Sequence, residues 1–312
     1  ADNLAIKGIA FKNLEKKGHF VTSSIEHKAV LESMNFLEKI GFDVTYLPVD
    51  RYGIVDPDDL KKAIRKDTLG ISVMWANNEV GSIQPIKELS AIANEHDIPF
   101  HSDAIQTIGK IDIPFVEYGV NQLAASAHKF YGPKGVGFLY IDKKTKHRMV
   151  PLIHGGSHEH NLRAGTENVA GIIGLAKALE MSLKEMASEN ERLKELGDYL
   201  IEGMKDHIEG VHLNGPVEKR LPGFANLSFD HIEGEAMLLS LDMKGIGASS
   251  GSACSSKSLE ASHVLRAMGT DIVQAHGSIR FTLGSMSTKE DIDYLFEVFV
   301  PIVERLRAMS IL

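Results

Sequence analysis

The chain has 312 residues, 43% apolar and 24% charged, with a formal net charge of -8, enough for one large or two medium domains with a real core and too apolar for a disordered or collagen-like chain. No run approaches the roughly 18 uninterrupted apolar residues of a membrane span, and the N-terminus lacks the basic-then-apolar layout of a secretory signal. The acidic balance argues against nucleic-acid binding, which calls for a basic stripe, and the single cysteine, Cys254, permits no internal disulfide, so the expectation is a soluble, unexported, cytoplasmic protein.

Residues 1–17 have helical spacing of Leu4, Ile6, Ile9, Phe11 and Leu14. From there to about residue 150, β-rich runs alternate with amphipathic stretches. Strands are predicted at His19 to Thr22, Asp43 to Pro48, Leu69 to Trp75, Ile98 to Ser102, Gln122 to Ser126 and Val136 to Ile141. Helices are predicted at His27 to Ile40, Pro57 to Ala63, Pro85 to His96 and around Pro114 to Tyr118. This βαβ rhythm implies an α/β fold with a mostly parallel sheet covered by helices. A Gly-rich loop, His154 to Gly165, leads into a long helix from Thr166, read as its N-cap, to His207. Then come a strand at Ala225 to Phe229, a helix at Gly234 to Asp242, a loop holding Cys254, a helix at Ser258 to Ala267 and a strand at Ser278 to Thr282. Ser287, Thr288 and Glu290 open a C-terminal helix. The expected division is a large domain of residues 1–186 and a smaller α/β domain of residues 187–312. The charged run Lys184 to Lys194 reads as a solvated helix face.

Four polar clusters follow predicted strands and therefore gather at one sheet edge. The segment Ser126-Ala127-His128-Lys129 puts a lysine just past a strand end, where α/β ligand crevices form; standing alone it would read as a surface turn. Asp103 ends another apolar strand, although an Asp there also suits a helix N-cap. Trp75 to Glu79 and Ser23 to His27 supply amides and an imidazole. An aldehyde-competent lysine, an acid, amides and a histidine at one crevice are what pyridoxal phosphate needs. The lysine forms a Schiff base, the acid keeps the pyridine nitrogen protonated and the imidazole stacks on the ring. A lone Cys is most often a small buried hydrophobe, but Cys254 lies in the small, polar run Ser249 to Ser258 without apolar periodicity. That run predicts an exposed, mobile loop. His154, His158 and His160 around Glu159 fit no zinc spacing, so no metal is expected, and no Walker or dinucleotide fingerprint is present.

Seven segments carry a resemblance over essentially the whole chain. In order they are SSIEHKAV, WANNEVG, FHSDAIQTIGK, SAHKFYGPKGVGFLY, HGGSHEHNLRAGTENV, SSGSACSSKSLEASHVLRAMG and SIRFTLG. Together they resemble the NifS/IscS-type cysteine desulfurases of the class V aminotransferases, which are fold-type I pyridoxal-phosphate transferases, and the SSGSAC segment resembles their longer-loop group. The resemblance implies pyridoxal 5'-phosphate as cofactor, with Lys129 as the Schiff-base lysine, Asp103 on the pyridinium nitrogen, His27 stacked on the ring and Gln106 on the ring hydroxyl. Asn78 would lie beside it, near the substrate carboxylate. Ser126 and His128 would hold the phosphate, and Thr166 would reach the phosphate of the neighbouring subunit of a homodimer. Arg280 would clamp the carboxylate of L-cysteine, His27 would assist proton transfers at sulfur, and Cys254 would be the nucleophile that becomes a persulfide and passes sulfur to an acceptor or iron-sulfur scaffold protein.

Relatives carry several dozen residues ahead of Ala1, among them a Ser-Gly-Gly/Ala-Thr-Glu turn that binds phosphate at a helix N-terminus. The expectation is a fragment of a longer gene product or a chain with a weakened cofactor site. Two alternatives stay open: a non-catalytic homologue acting as an assembly or binding partner, and a selenocysteine lyase or aminotransferase of the same fold.

Overall fold

The computed structural model describes residues 1–250 and 261–309. The β-rich runs before residue 142 form one six-stranded sheet: β1 (His19–Ser23), β2 (Asp43–Leu47), β3 (Thr68–Ser72), β4 (Phe100–Asp103), β5 (Gln122–Ser126) and β6 (Gly137–Ile141), in the order β2-β1-β3-β4-β5-β6. The first five are parallel, and β6 runs antiparallel to β5. Every residue of β1 and β4 is buried, as expected of strands covered on both faces. The cover includes α1 (Asp2–Lys12), α2 (Lys28–Lys39), α3 (Pro57–Ala63) and α4 (Ile86–Glu95). Ile6 and Ile9 of α1 and Met34 and Leu37 of α2 pack with Phe20 and Phe42, each such side chain contributing about 1.5–3 kcal/mol by leaving water. A one-turn helix, α5 (Lys143–Lys146), follows β6.

The chain divides into two compact units. The first comprises residues 1–49, 54–77 and 84–186; the second comprises residues 50–53, 78–83 and 187–312. The long helix α6 (Val169–His207) begins in the first and ends in the second. The second unit has an antiparallel sheet of β7 (Val211–Asn214), β8 (Phe224–Phe229) and β9 (Ser278–Thr282). Its helices are α7 (Gly234–Asp242), α8 (His263–Ala267), α9 (Ile272–His276) and α10 (Lys289–Met309). Its core joins Met204, Leu227, Met237, Ile279 and Phe299. No helix among the described residues is long and apolar enough to cross a membrane.

Several elements differ from the sequence expectation for local physical reasons. The long helix begins at Val169, because Asn168 Oδ1 accepts the Gly171 N–H at 3.1 Å and caps it. Thr166 is therefore not the N-cap. The helix expected around Pro114 to Tyr118 is a pair of turns, closed by Tyr118 N–H to Pro114 O and Gly119 N–H to Val116 O. The strand expected through Trp75 ends at Ser72, and the first helix stops at Lys12. β7 and α9, each only four or five residues long, were not anticipated.

Candidate active site

Parallel strands deliver their C-terminal ends to one edge of a sheet, which is where α/β proteins bind ligands. β5 ends at Ser126, and Ala127–Phe130 then form a single 3-10 turn. Tyr131 closes that turn in the left-handed region at φ 65° and returns its N–H to Ala127 O. The chain re-enters the sheet at Gly137, where a Cβ would collide with the Ala125 carbonyl oxygen. This local folding holds Lys129, half-buried, one turn beyond β5. Ser126 Oγ and His128 Nδ1 pair at 2.9 Å. Partial desolvation, then the charges of Lys129 and Lys134, hold His128 below the ordinary imidazole value.

Asp103 ends β4, the neighbour of β5. It is 5% exposed, and Oδ1 accepts the Ile105 N–H at 2.9 Å. Burial, then the charge of Asp2, push its carboxyl well above the usual range, while the Ile105 hydrogen bond and the Lys129 charge pull the other way. Gln106, half-buried, accepts from Lys110 Nζ at 3.0 Å. His27, four residues beyond β1, caps α2: Nδ1 accepts the Ala29 N–H at 3.1 Å. That bond uses the Nδ1 lone pair and fixes the orientation of the ring.

The structure thus gathers His27, Asp103, Gln106, Ser126, His128 and Lys129 at one sheet edge of the first unit. Thr166 lies exposed in the loop before α6, its carbonyl accepting from Arg163 Nη1 at 3.4 Å. Asn78 and Arg280 belong to the second unit. There Arg280 Nη1 donates to Asn78 O at 2.8 Å, and the backbone of Arg280, on β9, pairs with that of Ser249 outside the strand. Cys254 lies outside the described residues. His158 Nδ1 accepts the Gly165 N–H at 3.3 Å, and among the described residues no group of three or more His, Cys, Asp and Glu is placed to hold a metal ion.

Two buried titratable residues beside this edge were assigned no role from sequence. His101, two residues before Asp103 and on the same face of β4, pairs through Nδ1 with Ser72 Oγ at 2.9 Å. Its Nε2 lies 3.6 Å from Asp2 Oδ1. Burial takes it down to about 4, so it is neutral at neutral pH. Glu26 is fully buried, and its Oε1 accepts from Ser23 Oγ at 2.5 Å and from the Met74 N–H at 2.8 Å. The one sequence signal for it is a Ser and a Glu three residues apart at a strand exit, a spacing that by itself suggests only a capping box.

The donor set fits pyridoxal 5'-phosphate. It offers a primary amine for the aldehyde, a hydroxyl and an imidazole side by side, and a buried carboxyl whose raised proton affinity would be relieved by a cationic ring nitrogen. A mostly parallel sheet presenting that lysine and that acid at adjacent strand exits defines a fold-type I pyridoxal-phosphate enzyme, and the chain belongs to the aminotransferase class-V family, whose pattern matches residues 1–295. Within that family it is of the NifS/IscS type. It is 60% identical over 310 residues to the cysteine desulfurase IscS of Dictyoglomus turgidum, an alignment covering 99% of this chain and 78% of the relative. Among solved structures, a NifS-like protein matches with a TM-score of 0.90 at 38% identity, over 98% of this chain and 80% of its own. SspA in complex with cysteine matches with a TM-score of 0.79 at 39% identity, over 90% and 78% respectively.

Proposed function

We propose that the chain is a cysteine desulfurase: L-cysteine and the Cys254 thiol yield L-alanine and a persulfide on Cys254. The observation that carries this reading is the pairing of Lys129 and the buried Asp103 at the exits of adjacent strands, in a chain whose relatives are named cysteine desulfurases. When bound, pyridoxal 5'-phosphate supplies an electron sink for the pair released at the substrate Cα. Lys129 would hold the aldehyde carbon through its amine, and the same amine would move a proton at the substrate Cα. Asp103 would keep a proton at the ring nitrogen, His27 would stack on the ring, Gln106 would bind the ring hydroxyl, and Ser126 and His128 would bind phosphate. Arg280 and Asn78 would orient the substrate carboxylate, and the Cys254 thiolate would attack the substrate sulfur as the Cβ–S bond breaks, Cβ keeping the electron pair and then taking a proton to give alanine, with His27 as the acid-base partner.

The same reading makes the protein a cytoplasmic homodimer that hands sulfur to an acceptor or iron-sulfur scaffold protein, with Thr166 serving the neighbouring subunit's phosphate. Exposed Val169, Ile172 and Ile173 at the start of α6, with Tyr131 and Ile153 in the same unit, support an apolar subunit contact. The test is product analysis with L-cysteine. The parent chain forms alanine and Cys254 persulfide in equal amounts, Lys129→Ala forms neither, and Cys254→Ser keeps the cofactor but forms no persulfide. Sulfide release by Cys254→Ser at the parent rate overturns the assignment of the nucleophile.

A further inference from the structure

We infer that Glu26 is a positioning residue for this site: its side chain ties the β1–α2 turn, which carries His27, to the exit of β3, and so sets the imidazole of His27 relative to the carboxyl of Asp103. This role presupposes that His27 and Asp103 serve the cofactor as proposed.

β1 and β4 are not neighbours; β3 lies between them. Toward β4 the exit of β3 is held by the backbone bonds Val73 N–H to His101 O at 3.1 Å and Trp75 N–H to Asp103 O at 2.9 Å, beside the Ser72–His101 side-chain pair. Met74 alternates with these two, so its N–H points to the other side. There β1 has already ended at Ser23, and Glu26 Oε1 takes the Met74 N–H at 2.8 Å in place of a strand carbonyl. The same oxygen accepts Ser23 Oγ at 2.5 Å, closing the turn on itself. Asn77 Nδ2 adds a second stitch to Ile25 O at 2.9 Å. The residue after Glu26 is His27, whose ring is fixed in turn by the Ala29 N–H. A continuous series of bonds therefore runs from the imidazole through Glu26, Met74 and Trp75 to Asp103.

Burial makes those bonds hard to replace. Glu26 is 0% exposed, so no water stands in for a lost carboxyl oxygen and the Met74 N–H would be left buried without a partner. Burial, reinforced by the charges of Asp103 and Asp2, raises the Glu26 carboxyl to about 8 against the pull of its Ser23 and Met74 bonds. It is a neutral acid at neutral pH. A glutamine has the same reach and an oxygen that accepts both bonds; an aspartate falls one methylene short of Met74.

The test uses the full chain, stripped of cofactor and titrated with pyridoxal 5'-phosphate. Affinity is read from Trp75 fluorescence, and the asymmetry of the bound ring from its visible circular dichroism. Glu26→Gln retains parent affinity within about twofold and keeps the parent dichroism. Glu26→Asp and Glu26→Ala weaken affinity at least tenfold and change the dichroic band. In a His27→Ala background the same substitutions cost less than twofold, because no imidazole remains to be misplaced. Parent-like binding and dichroism in Glu26→Asp, or equal losses with and without His27, overturn the role. Should Glu26→Ala fail to fold, the Glu26→Gln and Glu26→Asp pair decides. A parent chain that takes up no pyridoxal 5'-phosphate overturns the reading of the whole site, and this role with it; a parent that binds while Glu26→Asp binds equally overturns this role alone.

Discussion

Glu26→Gln also removes a proton-binding event from folding, and the size of that event follows from its surroundings. In the folded chain the carboxyl is lifted from 4.5 to about 8, whereas in the unfolded chain it returns to near 4.5. Between those values the folded chain keeps a proton that the unfolded chain has released, so stability falls as pH rises. The contribution is fully present below 4.5 and lost as pH climbs through about 8. The slope is about 1.4 kcal/mol per pH unit, or about 5 kcal/mol over an interval of about 3.5 units. The charges of Asp103 and Asp2, both acidic, add to the rise that burial produces. Asp103, raised chiefly by its own burial, adds a slope of the same sign. Glutamine accepts the Ser23 and Met74 bonds but does not titrate. Urea unfolding of the cofactor-free chain reads the first unit through Trp75, the single tryptophan, which is 3% exposed. From about pH 5 to 7.5, the dependence of stability on pH in Glu26→Gln should be shallower by about 1.4 kcal/mol per unit, with the two proteins diverging in the variant's favour toward higher pH. Parallel slopes would refute the claim that Glu26 is protonated in the folded chain.

Asp103→Asn should lower alanine formation by about a hundredfold or more while making the cofactor-free chain more stable at neutral pH, the usual opposition between a strained site and stability; product assay and urea unfolding together check it. Gly137→Ala should destabilise the first unit by about 2 kcal/mol, since the new methyl meets the Ala125 carbonyl oxygen, and a melting curve reads the loss. Asn168→Ala should cost about 1 kcal/mol by uncapping α6, whereas Thr166→Ala should leave stability within about 0.5 kcal/mol of the parent; denaturant titrations of the two variants separate the caps.

The parallel sheet was legible because apolar strand runs and amphipathic helices alternate at βαβ spacing, and the residues of its binding edge were legible because each follows a strand. Lys129 and Asp103 stand out for that reason. Shorter elements were not legible: Val211–Asn214 offers only two alternating apolar positions, too few to declare a strand. Membership of the second unit was hidden too, since residues 50–53 and 78–83 join it only through long-range pairing such as Ser82 with Arg220. At the start of α6, Thr166 and Asn168 are both good caps, and only the reach of Asn168 to Gly171 distinguishes them. Glu26 was invisible for another reason. A glutamate in a polar turn looks solvated, and its burial depends on the Met74 N–H, 48 residues away.

β3 lends the binding edge none of the side chains assigned to the cofactor, yet it separates the two strands that position His27 and Asp103. Two lateral steps of about 4.8 Å each put β1 and β4 about 10 Å apart, and within that main-chain spacing the Glu26 side chain sets the turn that carries His27. The spectator strand is a main-chain spacer between the strand that leads to His27 and the strand that ends in Asp103.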